Sequence, residues 1–500
     1  MSSTLPLFDR AGEFSDRTAI KGDGESYSYG QLLEDSAGVA AGLLDGKADL
    51  EGARVCFLVP PGYDYVAVQW GIWRAGGVAV PLGIMHPLPE LQYTVEDSGA
   101  IAIVADPELL EKVRPLAESG DLPLLSSQEL MLHEPAALPV LEPDRHAMIL
   151  YTSGTTSRPK GVVTSHATIQ AQITSLVEAW GWTAEDQILH VLPLHHIHGI
   201  INVLGCALWS GACCEFLPKF EAASVWERLA SGELSLFMAV PTIYSRLISA
   251  WNDAPESDQQ RYSEGCRQMR LMVSGSAALP VSTLETWRSI SGQTLLERYG
   301  MTEIGMGLSN PLEGERVPGH VGKPLPGVEI RRVNDEGEPV PDDVPCEIQV
   351  RGPCLFEYYW NRPEATEEAF VDGWFRTGDV TVVEDGIYRI LGRSSVDIIK
   401  TGGEKVSALE IEEVLRTHPS IRQCAVVGVE DDEWGERVAA CLVVDQELTL
   451  ETLRDWAKQL LAVYKVPSLL LLVDELPSNA MGKVQKPAIK KLFCDGELPG

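Results

Sequence analysis

Tyr151-Thr-Ser-Gly-Thr-Thr-Ser-Arg-Pro-Lys160-Gly161 follows the short apolar run Met148 to Tyr151 and is dense in hydroxyls, with two glycines and one lysine. A loop of this kind turns backbone N–H groups and hydroxyls toward phosphate oxygens, and the lysine adds a point charge. A nucleoside triphosphate suits it. A plain polar surface turn has the same composition. A P-loop requires Gly-Lys followed by Ser or Thr at a helix start, whereas Lys160 precedes Gly161 and Val162-Val163, so that motif fails.

On both sides of the loop, apolar or β-branched runs are bounded by turn residues or charges: Arg54 to Val59, Val78 to Leu82, Ala100 to Ala105, Gln187 to Leu192, Leu236 to Val240 and Leu271 to Val273. They predict buried strands. Tyr63 to Ala75, Ala167 to Trp180 and Val225 to Ser231 have helical periodicity, so the class expected is α/β with parallel-rich sheets. After about residue 320, turn signals such as Asn334-Asp-Glu-Gly337 and Asp385-Gly386 predict shorter strands in a small barrel-like part. Beyond Gly392-Arg393, Ser407-Ala-Leu-Glu410 reads as a capping box. Strands at Ala425 to Val429, Ala439 to Val444 and Leu469 to Val473, with a helix from Glu451 to Val463, complete an α+β unit. The expected division is an N-terminal domain over 1–392, a hinge at 393–396 and a small C-terminal domain over 397–500.

The 500 residues are 45% hydrophobic and 22% charged, which suffices for more than one core. No apolar run approaches the roughly 18 residues of a membrane span, and the N-terminus lacks a basic segment followed by an apolar one. The C-terminal Glu-Leu-Pro-Gly is neither a peroxisomal address nor a prenylation box. These features predict a cytoplasmic protein with no membrane partner. The net charge of -32 argues against a nucleic-acid partner and requires an anionic ligand to find a locally basic pocket. The ten cysteines are scattered, several in apolar runs such as Val55-Cys56-Phe57, and Cys213-Cys214 lacks Cys-x-x-Cys spacing. Free thiols are expected, with no disulfide and no structural metal.

Tyr299-Gly-Met-Thr-Glu303, Gly373-Trp-Phe-Arg-Thr-Gly-Asp379, Gly392-Arg393 and Asn479-Ala-Met-Gly-Lys-Val-Gln-Lys486 follow the hydroxyl-rich loop in that order. With it they resemble the adenylate-forming enzymes, which include acyl-CoA synthetases, luciferases and peptide-synthetase adenylation domains. The resemblance implies a mobile small domain and two half-reactions, with ATP, Mg²⁺ and coenzyme A. It implies that Thr152, Ser153, Gly154, Thr155, Thr156 and Lys160 hold the β- and γ-phosphates and that Thr302 touches the α-phosphate. Glu303 would be the Mg²⁺ ligand, since a carboxylate beside phosphates needs a cation between them. Tyr299 would stack on adenine against the backbone of Gly275, Ser276 and Ala277, and Asp379 would accept from the ribose hydroxyls with Arg393 assisting. Lys483 would bridge carboxylate and phosphate, and Gly402 and Gly403 would line the pantetheine tunnel. Ser395 stands where an Asp or Lys is usual, in a loop one residue longer than in the family.

Leu192-Pro-Leu-His-His-Ile-His198-Gly199 resembles the segment that borders the acyl pocket, with His196 at the gate and His198 beside it. Read as a strand, it directs His195 and His196 to opposite faces. Arg246, Arg316 and Met306 fall in segments that flank that pocket in relatives. An arginine facing an acyl chain is costly to desolvate unless a second carboxylate pairs with it, which implies a dicarboxylic acid. These segments resemble malonyl-CoA synthetases, acting on malonate and methylmalonate, and no protein partner is implied. The alternatives are a medium-chain or other carboxylate ligase of the same fold, a carrier-protein-loading adenylation enzyme, and an inactive nucleotide sensor.

Overall fold

The computed structural model describes residues 5–22, 24–152, 158–217, 219–334, 336–402, 404–431, 433–478 and 484–495. Two sheets dominate the first part. In the seven-stranded sheet, Val78–Pro81, Arg54–Leu58, Ala102–Ala105 and Leu124–Ser126 run parallel, joined by His146–Thr152. The hydroxyl-rich loop leaves the end of His146–Thr152 and returns as the antiparallel strand Lys160–Ser165, with Thr152 opposite Lys160. A hairpin, not a strand-to-helix turn, therefore presents it.

The nine-stranded sheet is built on parallel Cys213–Phe216, Gln187–His190, Leu236–Ala239, Leu271–Ser274 and Leu296–Met301, extended antiparallel by Gly305–Ser309. One hydrophobic cluster runs from the first sheet through the helix His166–Trp180 to this one, with Phe57, Trp70, Trp180, Ile188 and Leu296 all buried. Parallel strands need apolar residues on both faces, which is why they read as continuous runs. Five antiparallel strands follow, among them Cys346–Arg351, Trp374–Glu384 and Ile387–Arg393.

The last part is a five-stranded sheet in which Ile421–Asp431 pairs with Gly435–Val444. Val426, Ala440 and Leu442 face the helices Ala408–Leu415 and Leu450–Ala457, while Ala425, Val427, Ala439 and Cys441 face the helix Lys486–Asp495. This alternation follows from the two-residue period of a strand. Two expectations are corrected. The helix expected over 451–463 ends at Ala457. The strand expected over 187–192 stops at His190, where Leu192 N–H turns back to donate to His190 Nδ1 at 3.2 Å in place of a ladder bond.

Candidate functional site

Brought together where the parallel strands end, Tyr299, Asp379 and Arg393 form one hydrogen-bonded group. The Tyr299 hydroxyl donates to Asp379 Oδ2 at 2.5 Å, and Arg393 Nε donates to Asp379 Oδ1 at 3.2 Å. Burial raises the Tyr299 pKa well above its ordinary value, and Asp379 adds to the effect. Burial disfavours the Arg393 charge, but Asp379, with Tyr299 and Glu303 adding to it, outweighs burial and the pKa is raised. Each Asp379 oxygen keeps a second lone pair for another donor.

Thr302 and Glu303 lie in the turn between Leu296–Met301 and Gly305–Ser309. Glu303 is buried and accepts from the Tyr359 hydroxyl at 2.9 Å. Burial raises its pKa, opposed by the Tyr359 hydrogen bond and by the nearby charges of Arg393 and Lys160. Lys160 Nζ sits 4.7 Å from the Tyr359 ring centroid. A buried carboxylate, a lysine and the end of the hydroxyl-rich hairpin thus converge, and a divalent cation at Glu303 would restore the charge that burial disfavours. Ser153, Gly154, Thr155 and Thr156 lie outside the described residues, as do Gly403 and Lys483. On either side of Lys483 the chain is held: Ser478 bridges Val484, and Gln485 N–H donates to Pro477 O at 2.8 Å.

The strand Leu271–Ser274 ends in Gly275-Ser276. A Cβ on Gly275 would fall 2.5 Å from Arg298 Cζ, so only glycine lets the guanidinium lie against this turn. Ser276, at φ +69°, places its Oγ 3.2 Å from His198 Nδ1 and 3.4 Å from Arg298 Nη2. Ala277 is exposed beside it. Arg298 is 3% exposed and, among the described residues, makes no ion pair with a carboxylate and has an Nε without a partner. Burial pushes its pKa down to about 9. It also holds His198 neutral together with burial, the larger cause. Met306 is buried against Gly300.

Sequence reasoning missed Arg298. Its signal was Glu297-Arg298, two adjacent charges inside an apolar strand, which alternation sends to opposite faces. Glu297 accepts from Leu279 N–H at 3.3 Å on one face, and Arg298 turns to Ser276 on the other.

Arg316 is corrected. Its Nε, Nη1 and Nη2 donate to the carbonyls of Pro311, Thr294 and Leu312 at 3.1, 2.5 and 2.7 Å. Thr294 precedes the strand Leu296–Met301, so Arg316 lies at the end opposite Thr302 and Glu303. Arg246, on the helix Pro241–Asp253, is exposed with its guanidinium 6.0 Å from the Phe220 ring. His195 and His196 do not diverge either. They occupy a turn, not a strand, with ring centroids 4.1 Å apart.

Four residues past Arg393, Asp397 supplies the carboxylate of this loop. Its Oδ2 accepts from Arg393 N–H at 3.0 Å, and its Oδ1 holds Lys486 Nζ at 2.6 Å. Val396 N–H and Asp397 N–H both donate to Arg393 O, closing a turn over 393–397. Gly402, at φ +58°, packs on Trp434 and donates to its carbonyl at 2.9 Å. Glu413 Oε2 accepts from Val281 N–H at 3.2 Å, linking the last part to the nine-stranded-sheet region. No described helix is long and apolar enough to cross a membrane.

Residues 7–360 match the family described as AMP-binding enzyme, and 410–483 match the AMP-binding enzyme C-terminal domain. The chain is 47% identical to the mitochondrial malonate–CoA ligase of Mus musculus, over 99% of this chain and 92% of that protein. It is 40% identical to the malonate–CoA ligase of Arabidopsis thaliana, over 97% and 87%. The crystal structure of ATP-bound MatB from Rhodopseudomonas palustris superposes with a TM-score of 0.90 at 33% identity, covering 99% of each chain.

Proposed function

We propose, from the premise that this chain belongs to the AMP-binding enzyme family, that it joins malonate to coenzyme A through malonyl-AMP, cleaving ATP to AMP and pyrophosphate. One observation carries the choice of acid: Arg298 is buried beside His198 and Ser276 with no carboxylate pairing it among the described residues. An unpaired buried charge costs roughly 3–5 kcal/mol, a cost that a second substrate carboxylate offsets. A monocarboxylic acid leaves it unpaired.

In the first half-reaction, one malonate oxygen attacks the α-phosphorus of ATP, the bond to the β-phosphate breaks, and pyrophosphate leaves with the electron pair. The protein positions the reactants and stabilises charge, with no covalent nucleophile. Asp379 and Arg393 hold the ribose, Tyr299 and the Gly275–Ala277 backbone flank adenine, and Thr302 meets the α-phosphate. Lys160 and the Thr152–Thr156 loop hold the outer phosphates, and Lys483 bridges the reacting carboxylate and phosphate. Glu303 is the residue that would hold Mg²⁺, which supplies charge neutralisation at the phosphate oxygens. In the second half-reaction, the thiol sulfur of coenzyme A attacks the acyl carbon, its proton passes to solvent, and AMP leaves. Rotation of 397–500 about 393–396 separates the two steps, with Gly402 and Gly403 lining the thiol's path. His196 gates the acyl pocket and Met306 forms its wall. The proposed compartment is the cytoplasm, which import of the native chain into mitochondria would overturn.

The test is a panel of acids with ATP, Mg²⁺ and coenzyme A, following AMP release. Malonate gives the highest rate, methylmalonate follows, and acetate and octanoate give far less. A faster rate with octanoate than with malonate sinks the reading.

A further inference from the structure

Asn202 lies within the π-helical segment His198–Gly205, is fully buried, and has a partner for neither Oδ1 nor Nδ2 among the described residues. Buried side-chain amides are nearly always hydrogen-bonded, so one with both ends unmatched requires an explanation. An asparagine kept for structure would satisfy backbone groups, and this one satisfies none.

Its direction follows from the helix. A π-turn takes roughly four to five residues, so a side chain four positions after His198 lies on the same face, one turn further along. That face is fixed by the His198 Nδ1 contact to Ser276 Oγ, which Arg298 also reaches. Three more polar atoms here lack partners among the described residues: His198 Nε2, Arg298 Nε and Ser274 Oγ. His198 and Arg298 share Ser276, Ser274 lies two residues before it, and π-turns are frequent at functional sites.

We infer that the Asn202 amide is a second donor to the distal carboxylate of the acid, beside Arg298, and sets the preference for a dicarboxylate over a monocarboxylate of similar length. This rests on the malonate reading. Arg298 supplies the charge. Asn202 fixes how the carboxylate is turned, so that the other end of the acid faces ATP.

Asn202→Leu keeps the branched shape and removes the polarity. The kcat/KM for malonate falls about 10- to 100-fold, mainly through KM, the loss expected for a hydrogen bond to a charged group. The KM for ATP and the rate with propionate stay near wild type, and Tm does not fall because no protein hydrogen bond is lost. Asn202→Asp, which sets a like charge against the carboxylate, loses more malonate activity than Asn202→Leu. A Leu variant with unchanged malonate KM overturns the inference, and so does an equal loss with both acids accompanied by a lower Tm. Failure of the wild-type enzyme to turn over malonate would instead remove the reading on which the inference stands.

Discussion

Arg298 and Arg316 leave the same strand-and-loop region from opposite ends, and the fold treats them oppositely. Arg316 gives a hydrogen bond from each guanidinium nitrogen to carbonyls of Pro311, Thr294 and Leu312, tying its loop to the start of a strand. Arg298 is more deeply buried, yet among the described residues its Nε has no partner and its guanidinium donates to one serine hydroxyl. A cation whose hydrogen bonds are met within the fold maintains the fold. A buried cation left unmatched points to a ligand that arrives later.

The sharpest way to break that contrast is to remove each arginine. Arg298→Met lowers kcat/KM for malonate about 10³-fold, as loss of one partner of a buried ion pair does, and leaves ATP binding nearly unchanged. Equal losses for malonate and ATP would make Arg298 a structural residue after all. Arg316→Met has the reverse profile, with malonate kinetics within about threefold of wild type and stability lowered by about 2 kcal/mol as its carbonyl bonds go. Denaturant titration measures it, and a malonate-specific kinetic defect would show that Arg316 reaches the acid.

The smallest effect concerns pH. Burial holds His166 down to about 3, His190 to about 4 and His195 to about 2, and places His198 well below its ordinary value. Each binds a proton less readily folded than unfolded, so below about pH 6.5 the unfolded chain takes up more protons and stability falls. Glu297, raised to about 8 by burial, opposes this throughout the window because its folded form keeps an extra proton, and Glu303 and Asp64, also raised by burial, act in the same direction. With His86, also lowered by burial, five histidines outnumber these three carboxyls. Tm declines between pH 7 and 5, and a flat or rising profile would show that these rings find partners on protonation.

Much of this arrangement was legible in the sequence because it depends on local pattern. Apolar runs marked the parallel strands, and the spaced motifs named Tyr299, Asp379 and Arg393 before the structure joined them. The Gln187 to Leu192 run misled at its end, because apolar character alone does not register that Leu192 N–H donates to the His190 ring. Arg298 stayed hidden for a different reason. Its identity is in the sequence, but its lack of a partner is a fact about three-dimensional neighbours. Asp397 was hidden because the sequence reading looked two residues after Arg393, at Ser395, whereas a turn onto Arg393 O brings the carboxylate of Asp397 back to the Arg393 N–H.

The unmatched Arg298 also bears on how long each copy of the protein lasts. Malonate binds the folded chain and not the unfolded one, so at about 100 times its Kd it adds about 2.7 kcal/mol to stability. Differences of that size change steady-state abundance, because proteases act on the unfolded fraction. The amount of enzyme in the cell therefore rises with the supply of the acid it consumes, without a sensor or a change in synthesis.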